Sequence, residues 1–213
     1  MPKNENNKKK ASWEWRYFYK EEKLKNNVLK LINLNIPKPK YLKYTDQYII
    51  IPKLTHNIKI RKIKNQPHKE LNIKTIIKNQ NNIFKFSKKS IISFPILEEG
   101  LLNLKELNIL NKNNKIKSLE SIKDIFNLIN YDYTLCLVKK NIIRYNLKKN
   151  TPKLKKDIRL EFANIYINNI PFKTISLKCA SITIIMELLK KLDMLHLDGT
   201  NYVNYIKSLE SRK

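Results

Sequence analysis

The run Trp13-Glu14-Trp15-Arg16-Tyr17-Phe18-Tyr19 puts Trp13, Trp15, Tyr17 and Tyr19 at one parity and Glu14, Arg16 and Phe18 at the other. A side-chain period of two belongs to a β-strand, so the run predicts a strand with an aromatic face and a charge-bearing face. The design recurs. Lys59 and Arg61 oppose Ile58 and Ile60, and Asn72 and Lys74 oppose Leu71 and Ile73. Arg159 and Glu161 oppose Ile158, Leu160 and Phe162, Ser176 and Lys178 oppose Ile175 and Leu177, and Arg144 lies in a less regular run. An ordinary antiparallel sheet with one wet face looks like this. So does a sheet curled until its polar faces line an interior, with the apolar faces packed outward against helices. A closed interior holding many cations costs several kcal/mol per desolvated ion unless water or anions fill it, so such an interior is a site for a negatively charged ligand.

Outward from this pattern, strands are expected at 13–19, 48–51, 57–63, 71–76, 84–86, 90–94, 133–138, 141–147, 158–167 and 172–179. The pair Asn168-Asn169 is placed as a hairpin turn. Helical spacing of apolar residues marks 20–35, 97–110 and 119–129, the last with Ser118 as its cap. A further helix follows Ser181, and a last short one spans 201–209 after Gly199. The fold class expected is α+β: an antiparallel eight-stranded β-tunnel or barrel with a polar, basic interior and helices packed outside. It forms one domain over 13–210, with a disordered basic tail at 1–12 and a short tail at 211–213.

Composition narrows the function classes. Lys and Arg number 44 against 18 acidic residues, a formal charge of +26, which favours polyanionic partners. Lys, Asn and Ile are also what an A/T-rich coding sequence produces, so placement carries more weight than the total. Two glycines in the whole chain leave no Gly-rich phosphate loop and exclude Walker-type and Rossmann-type sites. Cys136 and Cys179 sit in apolar runs without CxxC spacing and read as small buried residues in a reducing compartment. No apolar run approaches the roughly 20 residues of a membrane span, so a cytoplasmic, membrane-free protein is expected. His56, His68 and His196 share no spacing and read as solvated. The aromatic row on 13–19 reads as packing beneath helices.

Taken in order, several of these segments resemble one family. They are Trp-Glu-Trp-Arg at 13–16, Tyr-Ile-Ile-Ile-Pro at 48–52, Asn-Ile-Lys-Ile-Arg at 57–61, Leu-Asn-Ile-Lys at 71–74 and Leu-Glu-Phe-Ala-Asn-Ile at 160–165. With Lys-Thr-Ile-Ser at 173–176 and the Asn201-Tyr202 segment running to Lys207, they are similar to the CYTH, or triphosphate tunnel metalloenzyme, family over 13–209. The resemblance implies an eight-stranded tunnel that binds triphosphate through inward Lys and Arg, with acidic residues holding Mg²⁺ or Mn²⁺. Members hydrolyse inorganic or thiamine triphosphate, remove RNA 5′ γ-phosphates or cyclise ATP. Carried over, Arg16, Lys59, Arg61, Lys74 and Arg144 are the implied phosphate ligands, with Lys178 beside them, and Glu14 and Glu161 the implied metal ligands. No catalytic residue is assigned.

Two positions depart from the family pattern. Its opening signature carries two Glu and a Lys at alternate positions, where this chain has Glu14, Arg16 and Phe18, and many members place a Glu where this chain has Lys178. The expected function is binding of triphosphate, nucleotide or polyphosphate with metal-dependent hydrolysis. The alternative is a basic, non-catalytic module for polyphosphate or RNA, inside a larger assembly.

Overall fold

The structure, a computed structural model, describes residues 11–20, 23–32, 38–62, 69–87, 89–110, 117–129, 131–147 and 158–211. The two tails called at 1–12 and 211–213 fall almost wholly outside these residues, although Ser12 already belongs to the first strand. In chain order the elements are β1 (Ser12–Tyr19), α1 (Lys23–Ile32), β2 (Lys40–Ile50), β3 (His56–Lys62), β4 (Lys69–Gln80), β5 (Ile83–Phe86) and β6 (Ser90–Ser93). There follow α2 (Glu98–Glu106), α3 (Ile122–Leu128), β7 (Thr134–Leu147), β8 (Ile158–Ile167), β9 (Ile170–Cys179), α4 (Ile182–Lys191) and α5 (Tyr202–Glu210).

Hydrogen-bonded neighbours run β3-β2-β7-β8-β9-β1-β5-β4, and β4 returns to β3, so eight antiparallel strands close into a barrel. β6 lies beside β4 as a ninth strand. Closure leaves eight strands without a free edge and divides their side chains into an inner and an outer set.

The outer set is apolar where helices cover it. Trp13, Trp15, Leu160, Ile175 and Leu177 form one buried cluster with Val28 of α1 and Ile185 and Leu189 of α4. Ile49, Ile58, Ile60, Leu71 and Ile73 form another with Leu101 and Leu104 of α2 and Ile125, which is the reason the middle of the chain is helical. Each such side chain contributes about 1.5–3 kcal/mol when fully buried, so helices and wall hold one another in place. A third cluster sits at one end of the barrel. There Phe18, Tyr48, Ile50, Val138, Ile165 and Ile167 point inward and Tyr202, Val203 and Ile206 of α5 pack onto them, closing that end. Gly199 lets the chain reach this position, because a Cβ there would lie 2.5 Å from the Trp15 ring. The backbone N–H of Thr200 then donates to the carbonyl of Arg16 at 2.7 Å, pinning the approach to α5 against β1.

Several boundaries differ from expectation. β7 is one strand of 14 residues rather than two, because Val138-Lys139-Lys140-Asn141 keeps pairing with both β2 and β8. β2 begins at Lys40, eight residues before the apolar run that marked it. Ser121, not Ser118, caps α3: its Oγ accepts from the Asp124 N–H, and the Asp124 carboxylate accepts from the Ser121 N–H. His56 is not solvated, since its ring nitrogens meet Thr75 Oγ1 and the Leu107 carbonyl at 2.9 Å each. The hairpin turn at Asn168-Asn169 is as expected, both residues having positive φ. Among the described residues no helix is long and apolar enough to cross a membrane.

Candidate anion-binding site

Because β-strand side chains alternate, burying Trp13 and Trp15 outside turns Glu14 and Arg16 inward, and the same argument places the other charges. Cross-strand register brings them together: Arg144 faces Glu161, Glu161 faces Ser176 and Ser176 faces Arg16, a continuous inner row across four strands. The neighbouring row joins Arg159, Lys178 and Glu14. On the other side Asn72 faces Lys59, and Arg61 lies between Glu70 and Asp46. Arg16, Lys59, Arg61, Lys74, Lys140, Arg144, Arg159 and Lys178 thus share the interior with Glu14, Asp46, Glu70 and Glu161, so among the described residues the cations exceed the acids.

Two charge clusters organise this interior. In the first, Asp46 is fully buried and accepts from Lys59 Nζ (2.8 Å), Lys140 Nζ (2.9 Å), and Nε and Nη2 of Arg61 (2.7 and 2.9 Å). Burial disfavours its charge, yet Lys140, Arg61 and Lys59 outweigh that and hold the carboxyl far below the usual range. Lys140 also donates to the Tyr48 hydroxyl at 2.7 Å and lies 3.9 Å from the centre of the Tyr202 ring, so α5 supplies an aromatic face to a buried cation. Lys59 is different: burial and the neighbouring Lys140 push its pKa well below the ordinary lysine value.

In the second cluster Arg16 lies among Glu14, Glu161, Thr174 and Tyr202. Its Nη2 donates to Glu14 Oε1 at 3.0 Å and lies 4.0 Å from Glu161 Oε2, while Nη1 donates to Thr174 Oγ1 at 3.0 Å and to the Tyr202 hydroxyl at 3.4 Å. Burial raises the Glu14 pKa, but Arg16, Lys74 and Lys178 reverse the effect and hold it well below the usual carboxylate value. Lys178 is lowered to about 8, by burial first and then by Lys74. The Nε atoms of Arg16 and Arg159 are buried and have no hydrogen-bond partner among the described residues, so both are donors left unmet there.

Glu14 and Glu161 are the two expected metal ligands. Mg²⁺ takes about six oxygens, usually one or two carboxylates with water and substrate phosphate completing the shell. Glu14 and Glu161 offer four oxygens, and a cation faces each one: Arg16 at 3.0 Å and Lys74 at 4.0 Å on Glu14, Arg144 at 2.7 Å and Arg16 at 4.0 Å on Glu161. Among the described residues no group of three or more Asp, Glu, His or Cys is arranged to hold a metal. As they stand, these residues do not fit a divalent ion.

All eight residues singled out in the sequence face the interior. Four further members escaped it: Asp46, Glu70, Lys140 and Tyr202. Asp46 lies in the unrecognised first half of β2, and Lys140 fell at the assumed break in β7, where polar residues occupy both faces. Alternation gives no signal in either place. A surface cavity of about 280 Å³, lined in part by Tyr19, Lys25, Tyr41, Lys43 and Asn141, holds none of these residues.

No family model and no characterised protein matches the chain by sequence. Solved structures do match by shape. The adenylyl cyclase-like HpAC1 from Hippeastrum, described as having a dominant triphosphatase activity, superposes with a TM-score of 0.51 at 8% identity, over 95% of this chain and 96% of its own. The Mimivirus capping enzyme triphosphatase gives 0.50 at 12% identity over 89% and 91%. The RNA triphosphatase domain of the trifunctional mimivirus mRNA capping enzyme, in a separate structure, gives 0.50 at 11% over 89% and 90%. What these structures share with this chain, over almost their whole length, is the path of the backbone rather than its side chains, and the fold of this protein is therefore that of the CYTH tunnel proteins.

Proposed function

We propose that the barrel interior binds the triphosphate group of a small anion, inorganic triphosphate or a nucleoside triphosphate, gripping it with Arg16, Lys59, Arg61, Lys74, Arg144 and Lys178. One observation carries this reading: among the described residues, cationic side chains from separate strands converge on the barrel interior in excess of the acids there, with two arginine Nε donors buried and unpartnered. Unpaired charge in such a space is costly, and a polyanion offsets that cost. Arginine contributes two-pronged contacts to phosphate oxygens, lysine a movable point charge. The side chains retain limited exposure, from 6% for Arg16 to 25% for Lys74, so a ligand reaches them while bulk water screens them little.

Titration calorimetry with inorganic triphosphate tests the proposal. Binding in the micromolar range that weakens on replacing Arg61 or Lys74 supports it; absence of binding at millimolar ligand overturns it. Recognition through the inward cations predicts that RNA carrying a 5′-triphosphate binds and that the same RNA with a 5′-hydroxyl does not. Equal binding of both would point instead to the outer surface and to a general RNA-binding module.

Hydrolysis is the second reading, favoured by the presence of two carboxylates, Glu14 and Glu161, beside the cations and by the triphosphatases that share the fold. Phosphoryl transfer depends mostly on positioning and charge neutralisation, which the tunnel's cations would supply. Release of phosphate from triphosphate, ATP or thiamine triphosphate with added Mg²⁺ or Mn²⁺ would establish it, and no release with any of the three would leave binding alone.

A further inference from the structure

We propose that the guanidinium of Arg16 stands in for a divalent ion between Glu14 and Glu161, so that this tunnel recognises its anion without metal. The anion part of this statement rests on the binding function proposed above; the metal part does not. Nη2 of Arg16 is the shared neighbour of Glu14 Oε1 and Glu161 Oε2, at 3.0 and 4.0 Å. It therefore occupies the point from which a cation would contact both carboxylates. The outer oxygens are taken as well, Glu161 Oε1 by Arg144 and Glu14 Oε2 by Lys74.

Arg16 is also fixed where it is. Nη1 donates to Thr174 Oγ1 and Tyr202, the guanidinium carbon lies 4.4 Å from the centre of the Tyr202 ring, and the backbone carbonyl accepts from Thr200. To admit a metal the side chain would have to leave contacts on β9 and α5 at once, while its positive charge stayed inside a barrel already rich in cations. A metal entering beside it would meet two carboxylates whose charge is already balanced. Arginine never loses its proton in a protein, so the substitute charge is permanent and independent of pH and metal supply. Its Nε, buried and unpartnered, remains to donate to a phosphate oxygen.

Two measurements on the full chain test this. The first is Mn²⁺ titration followed by electron paramagnetic resonance in metal-stripped buffer without triphosphate. The wild-type protein should bind Mn²⁺ no more tightly than about millimolar, the weak end of oxygen-ligand sites, and Arg16→Gln should bind it at least about tenfold more tightly because the facing oxygens of the two carboxylates, Glu14 Oε1 and Glu161 Oε2, are released. Arg16→Lys, which keeps the charge, should remain as weak as wild type. Micromolar Mn²⁺ binding by the wild type overturns the proposal, as does a folded Arg16→Gln that gains nothing. If Arg16→Gln fails to fold, the wild-type titration still decides. The second measurement is wild-type affinity for inorganic triphosphate in stripped buffer and with Mn²⁺ added. Affinities within about threefold of one another support metal-free recognition, and a gain of about tenfold or more with Mn²⁺ overturns it. Failure to bind triphosphate in either buffer would sink the binding function and leave the Mn²⁺ result standing on its own.

Discussion

Around Asp46 one carboxylate gathers three cations at 2.7 to 2.9 Å and is sealed from solvent, whereas around Arg16 one guanidinium is shared by two carboxylates that keep partial exposure. The first arrangement holds Lys59, Arg61 and Lys140 in place before any ligand arrives, at the cost of burying a carboxylate that those three partners compensate. The second neutralises two acids that would otherwise repel an anion, and leaves Arg144, Lys74, Lys178 and Arg159 around them. Asp46 is therefore a positioning group for cations, and Arg16 a cation that silences acids.

This contrast breaks most readily at Asp46. Asp46→Asn strips the counter-charge from three clustered cations, and uncoupling a buried pair of this kind costs about 3–5 kcal/mol. Urea unfolding should show that loss, and excess triphosphate should restore part of it, because the ligand supplies the missing negative charge; a loss under about 1 kcal/mol would deny Asp46 its central place. The equivalent change on the other side, Glu14→Gln, should leave triphosphate affinity equal or higher.

Removing a cation tests the ligand side. Arg61→Met should weaken triphosphate binding by about 10- to 100-fold, the value of about 1.5–3 kcal/mol expected for hydrogen bonds to a charged group. Unchanged affinity would move the ligand away from the Asp46 cluster.

Lys178 sharpens the comparison through pH. Its pKa of about 8 means that it loses its charge as pH rises through that value, while a bound polyanion favours the protonated form and returns its pKa toward the ordinary 10.5. Binding should therefore take up a proton between these values, and affinity should fall about tenfold from pH 7 to pH 9, one unit of separation being a factor of ten. Calorimetry in buffers of different ionisation enthalpy reads the proton directly, and Lys178→Met should abolish both effects. A flat profile in the wild type would exclude Lys178 from the site.

The smallest effect is expected far from either cluster. Ser121→Ala removes the cap of α3 and should cost about 1 kcal/mol in urea unfolding. Triphosphate affinity should not change, since the wall and the interior are separate tasks; a change in affinity would show that the helices of the outer layer tune the site.

Much of this was legible in the residues because burial and charge follow a period of two. Once Trp13 and Trp15 are placed outside by their size, Glu14 and Arg16 have only the interior left, and the same logic places Lys59, Arg61, Lys74, Glu161 and Lys178. It fails where a strand is polar on both sides. Lys139 and Lys140 differ in nothing but parity, yet Lys140 is buried beneath Tyr202 and Lys139 is exposed on the outer wall. Asp46 gave no sign either, because a single acid among Tyr, Thr and Gln marks no face until its strand is seen to continue.

The chain's own pattern of residues therefore determined the strands, the identity of most inward charges and their positive balance, since these are local consequences of side-chain alternation and of apolar burial. Closure of the barrel decided which charge meets which: that Asp46 collects three cations, that Arg16 lies between Glu14 and Glu161, and that α5 brings Tyr202 over Lys140. Such pairings join residues as far apart as 186 positions along the chain, and cross-strand register and helix docking, not sequence neighbours, bring them within a few ångströms.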